Sequence, residues 1–184
     1  MTRSVLERAR AALAAARETP VGTLEAATPI LDAASSTEVL ATAHFACGLA
    51  HRTLANGAES TAHLERAAEH ATAFPELLGQ ILRSLAFNYA QTGDHERGDR
   101  LIERSIDLLT GQEADLSRLQ QAFLMMMRGE HQAALPVLSA AIAGFTENGA
   151  DDYLELTLYN RALVYLAFGD YESSIADLHR AYET

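Results

Sequence analysis

One short pattern, which recurs along the chain, constrains the fold more than any other feature. In each copy a small residue is followed three positions later by a large residue, and a turn comes soon after. The small residues lie 38, 36 and 40 positions apart, and they are Gly48, Ala86, Ala122 and Ala162. A repeat of this length, divided by a turn into two helices, is typical of a helical solenoid. We therefore predict an all-α protein, an α-solenoid of about ten helices arranged as antiparallel pairs.

The turns between the paired helices contain residues that favour helix ends. Gly93, Gly129 and Gly169 can adopt the left-handed conformation that terminates a helix. Asp94 and Asp170 follow two of these glycines, and a carboxylate at this position can cap the next helix. The turns therefore indicate where the first helix of a pair ends and the second begins.

A second periodic pattern supports the same division. The second helices repeat a small, a large and a small residue at positions +0, +4 and +7, and the four copies are Ser60-Leu64-Ala67, Gly98-Ile102-Ser105, Ala134-Leu138-Ala141 and Ser174-Leu178-Ala181. Small side chains let two helices approach closely while large ones fill the space beside them. The predicted pairs are 37–55 with 57–73, 76–92 with 94–110, 114–128 with 130–147, and 151–168 with 170–183.

Residues 1–36 predict a divergent helix pair before these copies. Ser4 is suited to cap a first helix that ends near Arg17. Thr23 is suited to cap a second helix that reaches about Ala34, with a kink or a late start at Pro29. The repeats then occupy residues 37–184 as one continuous domain.

Charge and composition exclude several classes of partner and chemistry. The chain has 25 acidic and 14 basic side chains and a formal net charge of -11, which disfavours nucleic acid and anionic membranes. All the basic residues are arginines, so Schiff-base chemistry and the phosphate-binding lysine of a P-loop are excluded. Cys47 is the single cysteine, and no segment suits a signal peptide or a membrane span. We expect a cytoplasmic protein.

The copies resemble a known repeat family. The segment 159–181 closely resembles a tetratricopeptide repeat (TPR), and 79–112 and 115–148 match it well. Segment 41–74 diverges because Ala55 replaces the turn glycine, and the fourth copy spans about 155–184. More loosely, the alanine- and arginine-rich composition resembles the repeat arrays that precede caspase-like CHAT peptidase domains in actinobacterial proteins.

The resemblance implies that the first helices of the pairs line a concave face, where a protein or peptide partner binds. The expected partner-binding residues are mostly apolar and aromatic, with a few polar points, and they are Phe45, Leu49, Arg52, Arg83, Phe87, Gln91, Leu119, Gln120, Phe123, Met127, Tyr159, Asn160 and Leu163. Such a face suits an amphipathic helix or an extended peptide. The alternative is that a neighbouring helix or a second subunit covers some of these residues. Without lysine, the sequence does not predict the carboxylate clamp of chaperone-binding TPR domains.

One group of residues invites a metal or catalytic interpretation. His44, Cys47 and His51 lie on one face of a predicted helix, and imidazole and thiolate are zinc ligands. That face is the packing face in the other copies, so we expect buried side chains rather than a metal site. Cys47 is mid-helix among alanines, which does not favour a nucleophile. His63 and His70 are expected on a solvated face. We predict no catalytic residue, metal or cofactor.

The sequence leaves several alternatives for the function of this chain. The leading hypothesis is a non-enzymatic interaction or scaffold module. Its rivals are the regulatory segment of a larger CHAT peptidase and that of a TPR-containing signalling or transcription regulator. The last helix keeps Ile175, Leu178 and Ala181 on one apolar side. Repeat arrays usually end in a polar cap, so we expect self-association or a further domain there.

Overall fold

The computed structural model describes residues 4–34 and 36–183. Regular secondary structure in these ranges is α-helical, which confirms the predicted fold class. The described helices are α1 (Val5–Ala15), α2 (Pro20–Ala33), α3 (Thr37–Thr53), α4 (Gly57–His70), α5 (Pro75–Gln91), α6 (His95–Leu108), α7 (Gly111–Met127), α8 (His131–Asn148), α9 (Asp151–Ala167) and α10 (Tyr171–Glu183). No helix within the described ranges combines the length and apolarity that crossing a bilayer requires.

The chain divides into two compact units, residues 1–101 and 102–184, and the division falls inside α6. In the first unit, α3 packs against α1, α2, α4 and α5. In the second, α9 packs against α7, α8 and α10. The division of the chain at residue 36, followed by one continuous repeat domain, stays a prediction.

Capping side chains fix the start of several helices as the sequence predicted. The Ser4 hydroxyl accepts a hydrogen bond of 3.2 Å from the Glu7 backbone N–H, and the Glu7 carboxylate accepts one of 2.6 Å from the Ser4 N–H. These reciprocal bonds form a capping box. Asp94 and Asp170 each accept a hydrogen bond from the backbone N–H three residues on, at 3.2 and 3.1 Å.

The start of α2 differs from the prediction. The helix begins at Pro20, because a proline is tolerated in the first turn, where its missing N–H has no helical partner. Thr23 therefore lies inside α2, where it is buried and donates its hydroxyl to the Ala12 carbonyl oxygen of α1 at 3.3 Å. A late start at Pro29 is also wrong, since α2 runs through it to Ala33.

Small residues bring the paired helices into backbone contact, as their spacing predicted. The Ser60 hydroxyl donates to the Gly48 carbonyl oxygen at 2.8 Å, and Ser174 repeats this bond to Ala162 at 3.0 Å. In each case the two residues are twelve positions apart. A Cβ atom placed on Gly48 would come within 2.6 Å of the Leu64 side chain. The crossing thus leaves no room for a larger residue.

An alanine adopts the left-handed conformation in one of the turns. Ala55 has a φ of 60°, whereas Gly93, Gly129 and Gly169 have φ values of 87°, 76° and 75°. This conformation is strained for a residue with a Cβ and free of strain for glycine. A Cβ atom added to Gly93 would meet no other atom within 4 Å, so strain there would be purely conformational. The first copy therefore keeps the turn geometry at an energetic cost.

A partly buried ion pair holds α9 against its neighbours. The Arg161 guanidinium donates from Nε and Nη2 to the two carboxylate oxygens of Asp177 on α10, both at 2.7 Å. Its Nη1 donates to the Ser139 hydroxyl of α8 at 2.9 Å. The hydrogen bonds to Asp177 raise the pKa of Arg161. Arg161 occupies a position where TPR sequences commonly have leucine, and here it joins three helices.

We predict that Ala55→Gly stabilises the first unit. Releasing a left-handed alanine lowers the free energy of the native state by about 1 kcal/mol. Hydrogen exchange of α3 and α4 should show slower opening in this variant. The matched control is Gly93→Ala, which should speed opening of α5 by a similar amount. Unchanged exchange in both variants would contradict the prediction.

We predict that Arg161→Leu destabilises the second unit by roughly 3 kcal/mol or more, because Asp177 is then buried without a cationic partner. Thermal unfolding measured by circular dichroism checks this. The double variant Arg161→Leu with Asp177→Leu should recover most of the loss, since no buried charge remains. A single variant as stable as the wild type would show that the pair contributes nothing.

Candidate functional site

Three of the predicted partner-binding residues are buried, which corrects the expectation that they are exposed. Phe45, Leu49 and Leu119 have only 5%, 7% and 8% of their surface exposed. The physical reason for the first two is that α3 is surrounded by four helices of its unit, so that residues 41–50 are all buried. Leu119 belongs to the core that α7, α8 and α9 share.

Three of the four remaining predicted residues of the first unit line a small pocket. Arg52, Phe87 and Gln91 line a cavity of about 320 Å³ together with turn residues such as Ala55. The Arg52 guanidinium carbon lies 5.6 Å from the centroid of the Phe87 ring, within cation–π range. Arg83, on α5, is half-buried. The pocket thus pairs an aromatic surface with a cationic group.

Electrostatics around Arg52 favour an anion. Burial, followed by repulsion from Arg17 and Arg83, lowers the pKa of Arg52 to about 10. Among the described residues no carboxylate lies within ion-pair distance of Arg52. A carboxylate brought to this pocket would relieve the repulsion and gain a charge-assisted hydrogen bond.

The second unit exposes large apolar side chains on its first helices. Phe123 and Met127 on α7 are 41% and 49% exposed, and Tyr159 and Leu163 on α9 are 50% and 40% exposed. α7 and α9 contact each other, and each pair of residues is one helical turn apart. Gln120 and Asn160 are half-buried beside them. We call these four apolar residues the α7–α9 face.

A row of histidines lies between α3 and α4, and sequence reasoning missed it. His44 and His51 of α3 meet His63 and His70 of α4, and these four residues are the histidine row. Ring centroids are 5.9 Å apart for His70 and His44, 5.2 Å for His44 and His63, and 5.3 Å for His63 and His51. The Nδ1 atoms of His44 and His63 are 3.0 Å apart, which is a hydrogen bond between the rings.

The histidine row corrects one expectation and agrees with another. His63 and His70 are half-buried and stacked rather than on a solvated face, because α4 turns this side toward α3. His44 is buried and hydrogen-bonded, as predicted. The spacing of seven residues in both helices, 44 to 51 and 63 to 70, was the signal that predicts facing rows.

Neither metal binding nor nucleophilic chemistry is favoured at this row. Among the described residues no three histidine, cysteine, aspartate or glutamate side chains are arranged to hold a metal ion. Burial raises the pKa of the Cys47 thiol to about 11, which favours the unreactive protonated form.

The environment of His44 and His63 favours their neutral imidazoles. Burial, followed by His63, His70 and Arg66, lowers the pKa of His44 to about 4. Burial, followed by His51 and Arg66, lowers the pKa of His63. The charged groups that lower these two pKa values come from α4 or from the row itself.

Solved structures similar to this chain are TPR-repeat proteins. A putative kinesin light chain with nearly identical TPR-like repeats, from Podosopora anserina, matches with a TM-score of 0.73 and 16% identity, over 99% of this chain and 96% of that one. BtubC (BKLC) from P. vanneervenii matches with a TM-score of 0.75 and 13% identity, over 99% and 91%. YrrB, a TPR protein with an unusual peptide-binding site, matches with a TM-score of 0.62 and 18% identity, over 97% and 84%.

These matches show the fold. No protein-family model matches the sequence, and no curated protein matches it either. None of the three structures is described as a CHAT-domain protein. The resemblance to CHAT-associated arrays stays a prediction.

We predict that acid loosens the packing of α3 on α4. The folded state disfavours protons on His44 and His63, whereas histidines in the unfolded chain have a pKa of about 6.5, so the unfolded state binds more protons below that pH. Stability is therefore complete above about pH 6.5 and is lost toward pH 4, by at most about 1.4 kcal/mol per pH unit for each histidine that stays neutral.

Hydrogen exchange of α3 and α4, corrected for the intrinsic rate at each pH, measures this loss. His44→Gln should flatten the pH dependence, whatever it does to stability at pH 7. His179→Gln is the control, since His179 is exposed on α10. Equal pH dependence in the wild type and His44→Gln would contradict the assignment to the row.

Proposed function

We propose that this chain is a non-enzymatic protein-interaction module that binds a peptide or helix of a partner protein through the exposed side chains of its first helices. The observation that carries the proposal is the α7–α9 face, where four large apolar side chains are exposed on two helices in contact. Exposed apolar patches on soluble domains commonly mark interaction sites. Aromatic rings and methionine suit such a site because they give large contact areas and adapt to the partner.

The pocket of the first unit adds a charge preference to this proposal. It offers Phe87 for an apolar group and Arg52 for an anionic one. A partner segment with an acidic residue next to an apolar one would therefore fit, through a single arginine rather than through a clamp of several basic residues. The chain as a whole has a formal net charge of -11, so the positive charge of Arg52 is opposite in sign to the overall charge of the protein.

The similar solved structures support the proposal at the level of fold. YrrB is described as having a peptide-binding site, so the architecture is compatible with peptide binding in at least that protein. We include a cytoplasmic location in the proposal. The chain is acidic, and its single cysteine cannot form a disulfide within the chain, which suits a reducing compartment.

We predict that the double variant Phe87→Ala with Phe123→Ala loses its partner. Truncating buried anchors of an interface commonly costs about 1–4 kcal/mol each, and a tenfold loss of affinity corresponds to about 1.4 kcal/mol. Quantitative affinity capture from the native lysate, followed by affinity measurement with the purified partner, tests this. The partner recovered by the wild type should fall at least tenfold in the double variant.

The matched control is Val5→Ala with Val21→Ala, two exposed apolar residues on α1 and α2. This control should retain the partner in wild-type amounts. If the phenylalanine variant captures the same proteins in the same amounts, these first-helix surfaces are not the binding site.

A further inference from the structure

A groove lies on the outer flank of α9 and α10, away from the side of α9 that packs against α8. Its volume is about 470 Å³, and its lining includes the apolar residues Leu156, Tyr159, Leu178 and Tyr182. Asp152 and Glu155 stand at its edge. We call this the α9–α10 groove. It differs from the α7–α9 face, with which it shares only Tyr159.

The repeat shows what kind of group fills such a groove. α7 and α9 begin 40 residues apart, and so do α8 and α10, so each groove residue has an equivalent 40 positions earlier. Three of these equivalents are buried where the large groove residues are exposed. Leu138 is 0% exposed against 43% for Leu178, and Ile142 is 4% exposed against 92% for Tyr182. Leu119 is 8% exposed against 50% for Tyr159.

The element that covers those equivalents is α9. Its Leu154 and Leu158, one helical turn apart, share a core with Leu119, Leu138 and Ile142. Within this unit, the surface that corresponds to the groove is therefore filled by a helix with aliphatic residues at i and i+4. A helix of the same pattern fits the α9–α10 groove by the same geometry.

Charge restricts the occupant further. The groove lining includes the carboxylates of Asp152 and Glu155, both exposed, and no basic side chain. A helix with arginine or lysine beside its aliphatic residues would gain from these carboxylates, whereas an acidic helix would be repelled. A second copy of this chain, with its net charge of -11, is disfavoured on the same ground.

We propose that the α9–α10 groove binds a basic amphipathic helix of another protein, with two aliphatic residues four positions apart inserted between α9 and α10 and cationic side chains beside Asp152 and Glu155. This site shares only Tyr159 with the α7–α9 face, and the proposal does not depend on the proposed function. It gives the chain a second interaction surface with the opposite charge preference to the Arg52 pocket.

The test uses a synthetic helix derived from the chain itself. The probe is a fluorescent peptide of the α9 sequence with Glu155→Arg, Tyr159→Arg and Leu166→Arg, which makes it basic while keeping Leu154 and Leu158. Fluorescence anisotropy should show saturable binding to the full chain. The control peptide carries Leu154→Ser and Leu158→Ser in addition, and it should bind at least tenfold more weakly. Equal binding of both peptides would overturn the proposal.

Variants of the protein locate the binding. Leu178→Glu should weaken the basic peptide at least tenfold, because it places a charge in the apolar floor of the groove. Val21→Glu, at an apolar residue of the other unit that is 57% exposed against 43% for Leu178, should not. If Leu178→Glu lowers the thermal stability, the variant Tyr182→Ser is used in its place, because Tyr182 is 92% exposed. Unchanged binding in the groove variants would mean that the peptide binds elsewhere, for example by displacing α9, and would overturn the proposal.

Two further measurements test whether charge contributes to peptide binding and whether a second copy of this chain occupies the groove. Asp152→Asn with Glu155→Gln should weaken the basic peptide and reduce the salt dependence of its binding; no effect would remove the basic requirement and overturn the proposal. Light scattering of the wild type should show no association through this flank. A dimer that Leu178→Glu abolishes would assign the groove to a second copy instead. Phe87→Ala with Phe123→Ala should leave peptide binding intact, so the two sites fail independently.

Discussion

Close contact between the backbones of paired helices is the constraint on which the rest of the structure depends. At Gly48 there is no space for a Cβ because Leu64 occupies it, and serines at two crossings bond directly to a backbone carbonyl. Such proximity requires small residues at the crossing point. When the crossing point lies on one side of a first helix, the opposite side of that helix faces away from the second helix of the pair. The positions of Phe123 and Leu163 follow from this, since each comes directly after a small crossing residue.

Periodicity alone predicted the helix pairs and much of the exposed surface, and it failed where several helices meet. The spacing placed Phe45 and Leu49 on the partner-binding face, but both are buried. It gave no information about how many other helices pack on that side, and α1, α2 and α5 also contact α3. Leu119 was missed for the same reason. The same spacing also placed Phe123, Met127, Tyr159 and Leu163 on this face, and these residues are exposed.

Polar contacts across helices were the least predictable part. His63 lies 19 residues from His44, and its environment is set by the side of α4 that meets α3, not by its own neighbours in sequence. Arg161 departs from a commonly apolar position, and only Asp177, on the next helix, explains it by supplying its partner. Both cases depend on the relative rotation of two helices. A repeat pattern shows which side of each helix is apolar. Because that apolar stripe is broad, the pattern does not fix the exact rotation of one helix against the other.

The ion pair between Arg161 and Asp177 also bears on how similar helix pairs find the right neighbours during folding. At the positions equivalent to these two residues, the other copies have Cys47 with His63, Leu85 with Leu101, and Gln121 with Val137. Aliphatic stripes alone would let a first helix associate with the second helix of the wrong copy. Such a mismatch would bury the guanidinium of Arg161 without a carboxylate, which is strongly unfavourable. The different residue pairs at this one position therefore favour association of each first helix with the second helix of its own copy.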